Sequence, residues 1–235
     1  MKIMIFGNSV VNHIRPPREK TEKIYGYVVI DMLRKVMDEP IELVNLGWGS
    51  AMVNDFSIFE FTNRILQHYP DVIIFNYGIN ESVPRVIPRK TWSFFVEPSI
   101  KKRVIRRCTY AIISRIAPYL IRLFKCRSWM SLNLFRKEYE ERIRLINKEL
   151  SSLIVVMGIG KASERVENCI PRANIEIEKY NNCLKDICSK NKNCVFIDCW
   201  DLEPYMPDGI HFDSNGHRIA AERIVSQIIE YSRGV

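Results

Sequence analysis

The chain has 235 residues, of which 47% are hydrophobic, 11% aromatic and 26% charged. This length predicts one α/β domain over residues 1–235, and the composition excludes collagen-like and wholly disordered chains. The formal net charge is +8. From Arg85 to Arg136 there are thirteen Lys or Arg residues against one acid, Glu97, whereas the rest of the chain has a net charge of −4. The excess of positive charge therefore belongs to one segment.

Cysteine content and the first residues indicate where the protein works. Seven cysteines are an odd number, and none stands in a C-x-x-C pair, so we expect reduced thiols. The N-terminal stretch MKIMIFGNS lacks the apolar run of a secretory signal. These features predict a soluble, cytoplasmic protein whose first residues form a β-strand.

Short apolar runs rich in β-branched residues alternate along the chain with helical patterns. The predicted strands are 2–6, 41–46, 71–77, 153–159 and 194–199. The predicted helices are 23–37, 51–68, 134–150, 172–190 and 214–232. Such alternation is typical of βαβ units. It predicts a three-layer α/β/α domain with a five-stranded parallel sheet of the flavodoxin-like kind.

Residues 83–133 interrupt this alternation and are predicted to form a basic helical insertion. Within it, 99–127 interleaves Lys and Arg with apolar and aromatic residues, as a basic amphipathic helix at an anionic membrane surface does. An insertion that packs its apolar stripe on the core would have the same pattern. Its charges leave no apolar run long enough to span a bilayer. No recognised nucleic-acid-binding motif accompanies it, so nucleic acid is not an expected partner.

The loops after the predicted strands carry the polar residues. The G-W-G-S-A-M loop places Met52 where a G-x-G-x-x-G motif needs glycine, and no P-loop occurs, so no nucleotide is predicted. None of the histidines forms an H-E-x-x-H motif. A cluster of Asp208, His211, Asp213 and His217 would straddle a turn and a helix start, and we interpret His217 as a surface or helix-start polar residue. We therefore predict no metal and no cofactor.

A nucleophilic site needs a hydroxyl, a base, an orienting acid and donors for an oxyanion. Ser9 follows the first strand, and Asp208 and His211 follow the last. Each alone is more typical of a cap or a turn. Because the carboxyl ends of parallel strands meet at one sheet edge, these residues and the loops around Gly49 and Asn80 are expected to lie together.

Four blocks in this order resemble the SGNH (GDSL-type) hydrolase family: F-G-N-S, N-L-G-W-G, G-I-N-E and D-G-I-H. The resemblance implies Ser9 as nucleophile, His211 as base and Asp208 as its orienting acid. It implies an oxyanion hole formed by Ser9, by Gly49 or Gly47 with Gly49 preferred, and by Asn80. The chain departs from the family pattern at two positions: Asn8 replaces the usual acid before the nucleophile, and Glu81 replaces the usual Asp after the block-three Asn.

The resemblance also implies a reaction: ester hydrolysis by a serine esterase mechanism, through a covalent acyl-enzyme. The expected substrate is an O-acyl ester, preferably O-acetyl, of a carbohydrate or glycan precursor. An O-acyltransferase or a lysolipid esterase would use the same residues, and no residue decides between them. A non-catalytic module that binds anionic surfaces through the insertion is the remaining alternative. In each case the insertion 83–133, which follows Asn80 by only a few residues, could cover the mouth of the site as a lid, and 99–127 could hold the protein at the inner face of the membrane.

Overall fold

A computed structural model describes residues 1–12, 14, 23–96, 103–124 and 127–234. Residues 97–102 and 125–126 of the predicted insertion, which include part of the predicted membrane-contact segment 99–127, lie outside the described residues.

Five parallel strands form one sheet. They are β1 (Lys2–Gly7), β2 (Glu42–Asn45), β3 (Val72–Asn76), β4 (Leu153–Met157) and β5 (Cys194–Ile197). Their order across the sheet is β2-β1-β3-β4-β5, and every adjacent pair is parallel. This is the flavodoxin-like order. It confirms the predicted fold class, and each strand lies where the apolar runs predict it.

The described helices follow the strands in sequence. They are α1 (Tyr25–Leu33), α2 (Ile58–His68), α3 (Ile79–Ser82), α4 (Arg89–Val96), α5 (Arg103–Phe124), α6 (Leu132–Glu149), α7 (Glu164–Cys169), α8 (Ala173–Ser189) and α9 (Ser214–Gly234). Two short 3₁₀ helices, Ser9–Val11 and Trp200–Tyr205, follow β1 and β5.

The sheet is covered on both faces because its side chains alternate between two cores. Phe6 and Phe75 point to the face covered by α2, α6 and α8, where they pack among aromatic side chains such as Phe61 and Tyr139. Ile5 and the other alternate residues point to the face covered by α1 and α9. Because all five strands are parallel, their carboxyl ends lie at one edge of the sheet.

The predicted helix 51–68 begins earlier than the observed helix α2. The 51–68 pattern gives a helix only over Ile58–His68, because Ser57 and Glu60 form a capping box that fixes its first turn. Residues 51–57 instead form a loop that runs over the sheet edge. This loop carries contacts to the candidate site.

The insertion is helical where it is described, in α4 and α5. α5 continues through Pro118 and packs on α4 and α7. Within the described ranges, no helix is both long enough and apolar enough to cross a bilayer.

Candidate active site

The turn after β1 presents Ser9. Gly7 ends the strand so close to β3 that an added Cβ would lie 3.0 Å from the backbone oxygen of Asn76. Asn8 then caps the short 3₁₀ helix, because its Oδ1 accepts the N–H of Val10 at 2.9 Å. The half-buried Ser9 is the first residue of this helix and lies just beyond the sheet edge.

Three predicted site residues from the two ends of the chain are in contact. Ser9 Oγ lies 2.8 Å from His211 Nε2, and His211 Nδ1 lies 2.8 Å from Asp208 Oδ2. An ionised Asp208 can only accept, so the Nδ1 proton is donated to it. Nε2 is then the acceptor for the Ser9 hydroxyl. The three groups form one directed chain of hydrogen bonds.

The local sequence P-D-G-I-H explains how Asp208 and His211 face each other. Asp208 Oδ1 accepts the N–H groups of Ile210 and His211, at 3.0 and 2.8 Å, and so closes a tight turn. Gly209 sits in this turn with φ +80°, and a Cβ there would overlap Ser163 Oγ. Only glycine fits this position without strain.

The pKa of Asp208 lies well below its usual range. Partial burial opposes ionisation, but the hydrogen bond from the His211 ring, the backbone N–H groups and the attraction of the imidazolium together outweigh it. The side chain of His211 is only 13% exposed. Asp208 is therefore ionised in neutral solution and is placed to stabilise a positive charge on the His211 ring.

The two glycines of the second loop differ in their surroundings. The N–H of Gly47 donates to Asn45 Oδ1 at 3.0 Å, and a Cβ at Gly47 would overlap Val11 Cγ2. Gly49 is exposed, and no atom lies within 4 Å of an added Cβ. Gly47 thus has a packing role, whereas Gly49 borders open space, as an oxyanion donor must.

Asn80 lies on α3 and joins the third loop to the second. Its Nδ2 donates to the backbone oxygen of Ala51 at 2.9 Å, two residues beyond Gly49, and this amide group carries a second N–H. Glu81 connects the same two loops, because its carboxyl oxygens accept the N–H groups of Val53 and Gly78 at 2.7 and 2.8 Å.

The two departures from the family pattern have different consequences. Burial raises the pKa of Glu81 to about 7, although the bonds from Val53 and Gly78 favour its ionised form. Asn8 retains the capping bond that an acid would make, and its buried Nδ2 has no hydrogen-bond partner in the described part of the chain. A cavity of about 20 Å³ beside Asn8 has room for one water.

His217 lies near the start of α9, in agreement with the helix-start interpretation, but the prediction of it as a surface residue is wrong. His217 is fully buried in α9, where its Nδ1 accepts the N–H of Tyr25 at 3.1 Å and its ring packs near Phe212. The apolar residues Ala220 and Ala221, three and four positions later on the same stripe, are the sequence signal for this burial. In the ranges that the structure describes, no group of three or more His, Cys, Asp or Glu residues has a metal-binding arrangement.

Contacts from the insertion to the second loop are not evident in the sequence. Trp92 of α4 donates from Nε1 to Ser50 Oγ at 3.0 Å, and Arg89 forms an ion pair with Asp55. Ser50, next to Gly49, has φ +61°, a left-handed conformation that is uncommon outside glycine. The insertion is therefore anchored directly to the loop that bears Gly49.

The chain matches no family model and no curated protein sequence. It does match solved structures over almost its whole length. A lipase/acylhydrolase from Enterococcus faecalis has a TM-score of 0.62 at 15% identity, covering 97% of this chain and 94% of that one. The acetylxylan esterase Axe2 from Geobacillus stearothermophilus, solved as a catalytic mutant, has a TM-score of 0.61 at 17% identity, covering 97% and 93%.

A carbohydrate esterase of family 3 from Talaromyces cellulolyticus has a TM-score of 0.62 at 12% identity, covering 100% of this chain and 99% of that one. At these identities the likeness concerns the fold. The chain therefore has the fold of these acylhydrolases and esterases.

Proposed function

We propose that the protein is an SGNH-type serine esterase that cleaves an O-acyl ester through an acyl-enzyme. The observation that carries this proposal is the chain of hydrogen bonds from Ser9 through His211 to Asp208. This order of hydroxyl, imidazole and carboxylate is the arrangement that activates a serine nucleophile.

In the proposed reaction, Ser9 Oγ attacks the ester carbonyl carbon while its proton moves to His211 Nε2. Asp208 stabilises the imidazolium that forms. The alcohol then leaves with the proton from Nε2, and the acyl group remains on Ser9. Water, deprotonated by the same ring, attacks the acyl-enzyme and releases the carboxylic acid.

The negative charge on the carbonyl oxygen needs donors that are already in place. We assign this role to the backbone N–H groups of Ser9 and Gly49 and to the second N–H of Asn80. Gly47 is not a donor in this proposal because its N–H is bound to Asn45. Glu81 holds the loops of Gly49 and Asn80 together but does not contact the ester.

The proposed substrate class is an O-acyl ester of a carbohydrate or glycan precursor. It is supported by the SGNH-type blocks and by the likeness in fold to an acetylxylan esterase and a family 3 carbohydrate esterase. The sequence argument favours O-acetyl. An acyltransferase would differ only in using a sugar hydroxyl in place of water to release the acyl group.

Turnover of p-nitrophenyl acetate and butyrate tests the proposal. We expect saturable hydrolysis with an initial burst of p-nitrophenol if deacylation is the slower step. Adding candidate sugar acceptors separates the two reactions, since acylated sugar would form only in a transferase. An inactive wild-type protein that is folded by circular dichroism would contradict the esterase proposal.

We further propose that α5 docks on an anionic membrane surface. The large apolar side chains of Ile112, Ile116, Tyr119 and Leu123 share one face of α5 and are 59, 44, 70 and 74% exposed. They recur at i, i+4, i+7 and i+11, the spacing of one helical stripe. The thirteen basic residues of the surrounding segment match the charge of anionic lipid headgroups.

Vesicle flotation tests this docking. We expect the protein to float with anionic vesicles more than with neutral ones, and the double variant Ile116→Glu/Leu123→Glu to lose at least tenfold in binding. The matched control is Phe59→Glu/Ile175→Glu, which places the same charges on exposed apolar positions of α2 and α8. Equal binding to anionic and neutral vesicles would refute the attraction to anionic lipid headgroups. Unchanged vesicle binding by the Ile116→Glu/Leu123→Glu variant would refute α5 as the membrane-contacting helix.

A further inference from the structure

A cavity of about 360 Å³ lies between α5, the segments on either side of the insertion helices, α7 and the turn that bears Asp208. Ile113, Ala117 and Ile121, at i, i+4 and i+8, form its wall on α5, opposite the indole rings of Trp92 and Trp129. This wall belongs to a different face of α5 from the exposed stripe of Ile116 and its neighbours. α5 therefore presents apolar side chains both outward and into the cavity.

The cavity borders the candidate active site on two sides. Asp208 and Ile210, on the turn that bears His211, are part of its lining. On the other side, Trp92 lines the cavity and donates its Nε1 hydrogen bond to Ser50, next to Gly49. A molecule bound at Ser9 would thus have the cavity as a neighbouring compartment.

The lining fits an apolar group rather than a sugar. Most of the wall is aliphatic or aromatic. Of its two arginines, Arg85 stacks over the ring of Trp129 at 4.9 Å, and Arg165 is an exposed residue of α7. Arg85, Arg165 and Asp208 are the charged side chains of the lining, and the aliphatic and aromatic rest of the wall offers few hydrogen-bonding partners to sugar hydroxyls. Mostly apolar clefts of this size with a few polar groups are typical of small-molecule binding sites.

The volume also exceeds the needs of an acetyl group. An acetyl group would leave most of the apolar wall of this cavity of about 360 Å³ in contact with water, whereas a longer apolar chain would cover it.

From this geometry we infer that the cavity binds the apolar chain of an amphiphilic ester while its ester bond lies at Ser9. This inference rests on the proposed esterase function. It narrows the substrate class from O-acyl esters in general to O-acyl esters that carry an apolar chain. The chain is either the acyl group itself or an apolar part of the alcohol, such as a lipid attached to the sugar. Both sources present the same methylene surface to Ile113, Ala117 and Trp129.

Two substrate series distinguish the sources. In the first, p-nitrophenyl esters from acetate to decanoate vary the acyl chain. In the second, acetate esters of alcohols from ethanol to decanol vary the alcohol. We expect kcat/KM to rise at least tenfold between two and eight carbons in one of the series, because each methylene transferred from water into an apolar wall improves binding several-fold.

A matched pair of variants tests the location. Ala117→Phe fills the cavity, whereas Ala111→Phe adds the same ring to an exposed position of the same helix. We expect Ala117→Phe to lower the ratio of long-chain to short-chain kcat/KM at least tenfold and Ala111→Phe to leave this ratio unchanged. Ile113→Ala, which enlarges the cavity, should move the optimum to longer chains and serves as the second variant if Ala117→Phe does not fold.

A binding measurement separates this inference from the esterase proposal. By titration calorimetry on the Ser9→Ala protein, we expect 1-octanol to bind at least tenfold more tightly than 1-butanol, and Ala117→Phe to abolish the difference. If wild type hydrolyses no ester but octanol binds in this way, the esterase proposal fails and the cavity assignment stands. Flat chain-length series in an active enzyme, or octanol binding that Ala117→Phe does not change, would overturn the cavity assignment.

Discussion

Ser9→Ala and His211→Ala are each expected to lower kcat for ester hydrolysis by about 10⁴- to 10⁶-fold. Ser9→Ala removes the hydroxyl that contacts His211 Nε2, and His211→Ala removes the ring nitrogen that would accept the proton of this hydroxyl. When two residues act as a unit in catalysis, the first substitution already removes almost all of their joint contribution to kcat. The double variant should therefore be scarcely slower than either single variant.

Steady-state rates with p-nitrophenyl butyrate measure this effect. Ser151→Ala, at an exposed position, and His68→Ala, at the end of α2, are matched controls and should retain wild-type rates. Circular dichroism and thermal melts exclude unfolding as the cause of a loss. Multiplicative effects of Ser9→Ala and His211→Ala would mean that the two side chains act in separate steps, and the proposed proton transfer would be wrong.

Gly47→Ala is expected to destabilise the fold by about 2–3 kcal/mol, whereas Gly49→Ala should be almost neutral. A methyl group on Gly47 would overlap Val11 Cγ2, which is buried and β-branched and so has little freedom to move away. No atom lies within 4 Å of the methyl group at Gly49. Because Val11 shares its short 3₁₀ helix with Ser9, any displacement moves the nucleophile as well.

Thermal unfolding and ester turnover check this pair together. For a domain of this size, we expect Gly47→Ala to lower Tm by about 5–10 °C and kcat at least tenfold. The Gly49→Ala protein should melt within about 2 °C of wild type. A Gly47→Ala protein with wild-type stability and full activity would show that the loop accommodates the added methyl group without strain, and the packing role assigned to Gly47 would be wrong.

The strands and the order of the site residues were predictable because their signals are local. Buried parallel strands read as short apolar runs, and all five runs became strands of the sheet. The P-D-G-I-H turn is equally local, since Asp208 bonds to backbone groups only two and three residues away. The predicted proximity of Ser9 and His211 followed from the parallel topology rather than from either residue alone.

Features that depend on distant contacts were not predictable. The start of α2 was misplaced because 51–57 is apolar enough to continue a helical pattern, although Ser57 caps the helix. The bonds from Trp92 to Ser50 and from Arg89 to Asp55 join residues more than thirty positions apart. The burial of His217 has a local signal in Ala220 and Ala221, but its hydrogen-bond partner Tyr25 lies 192 positions away.

The buried carboxyl of Glu81 makes the folded state prefer mildly acidic solution. Its pKa of about 7 in the folded protein compares with 4.5 for an exposed glutamate. Between these two values the folded chain binds more protons than the unfolded chain, so its free energy of unfolding falls as pH rises through this interval. The Glu81 contribution to this decline is about 3 kcal/mol. Mildly acidic solution thus favours the folded arrangement in which Glu81 joins the loops of Gly49 and Asn80, and solution above about pH 7 adds no further loss through this carboxyl.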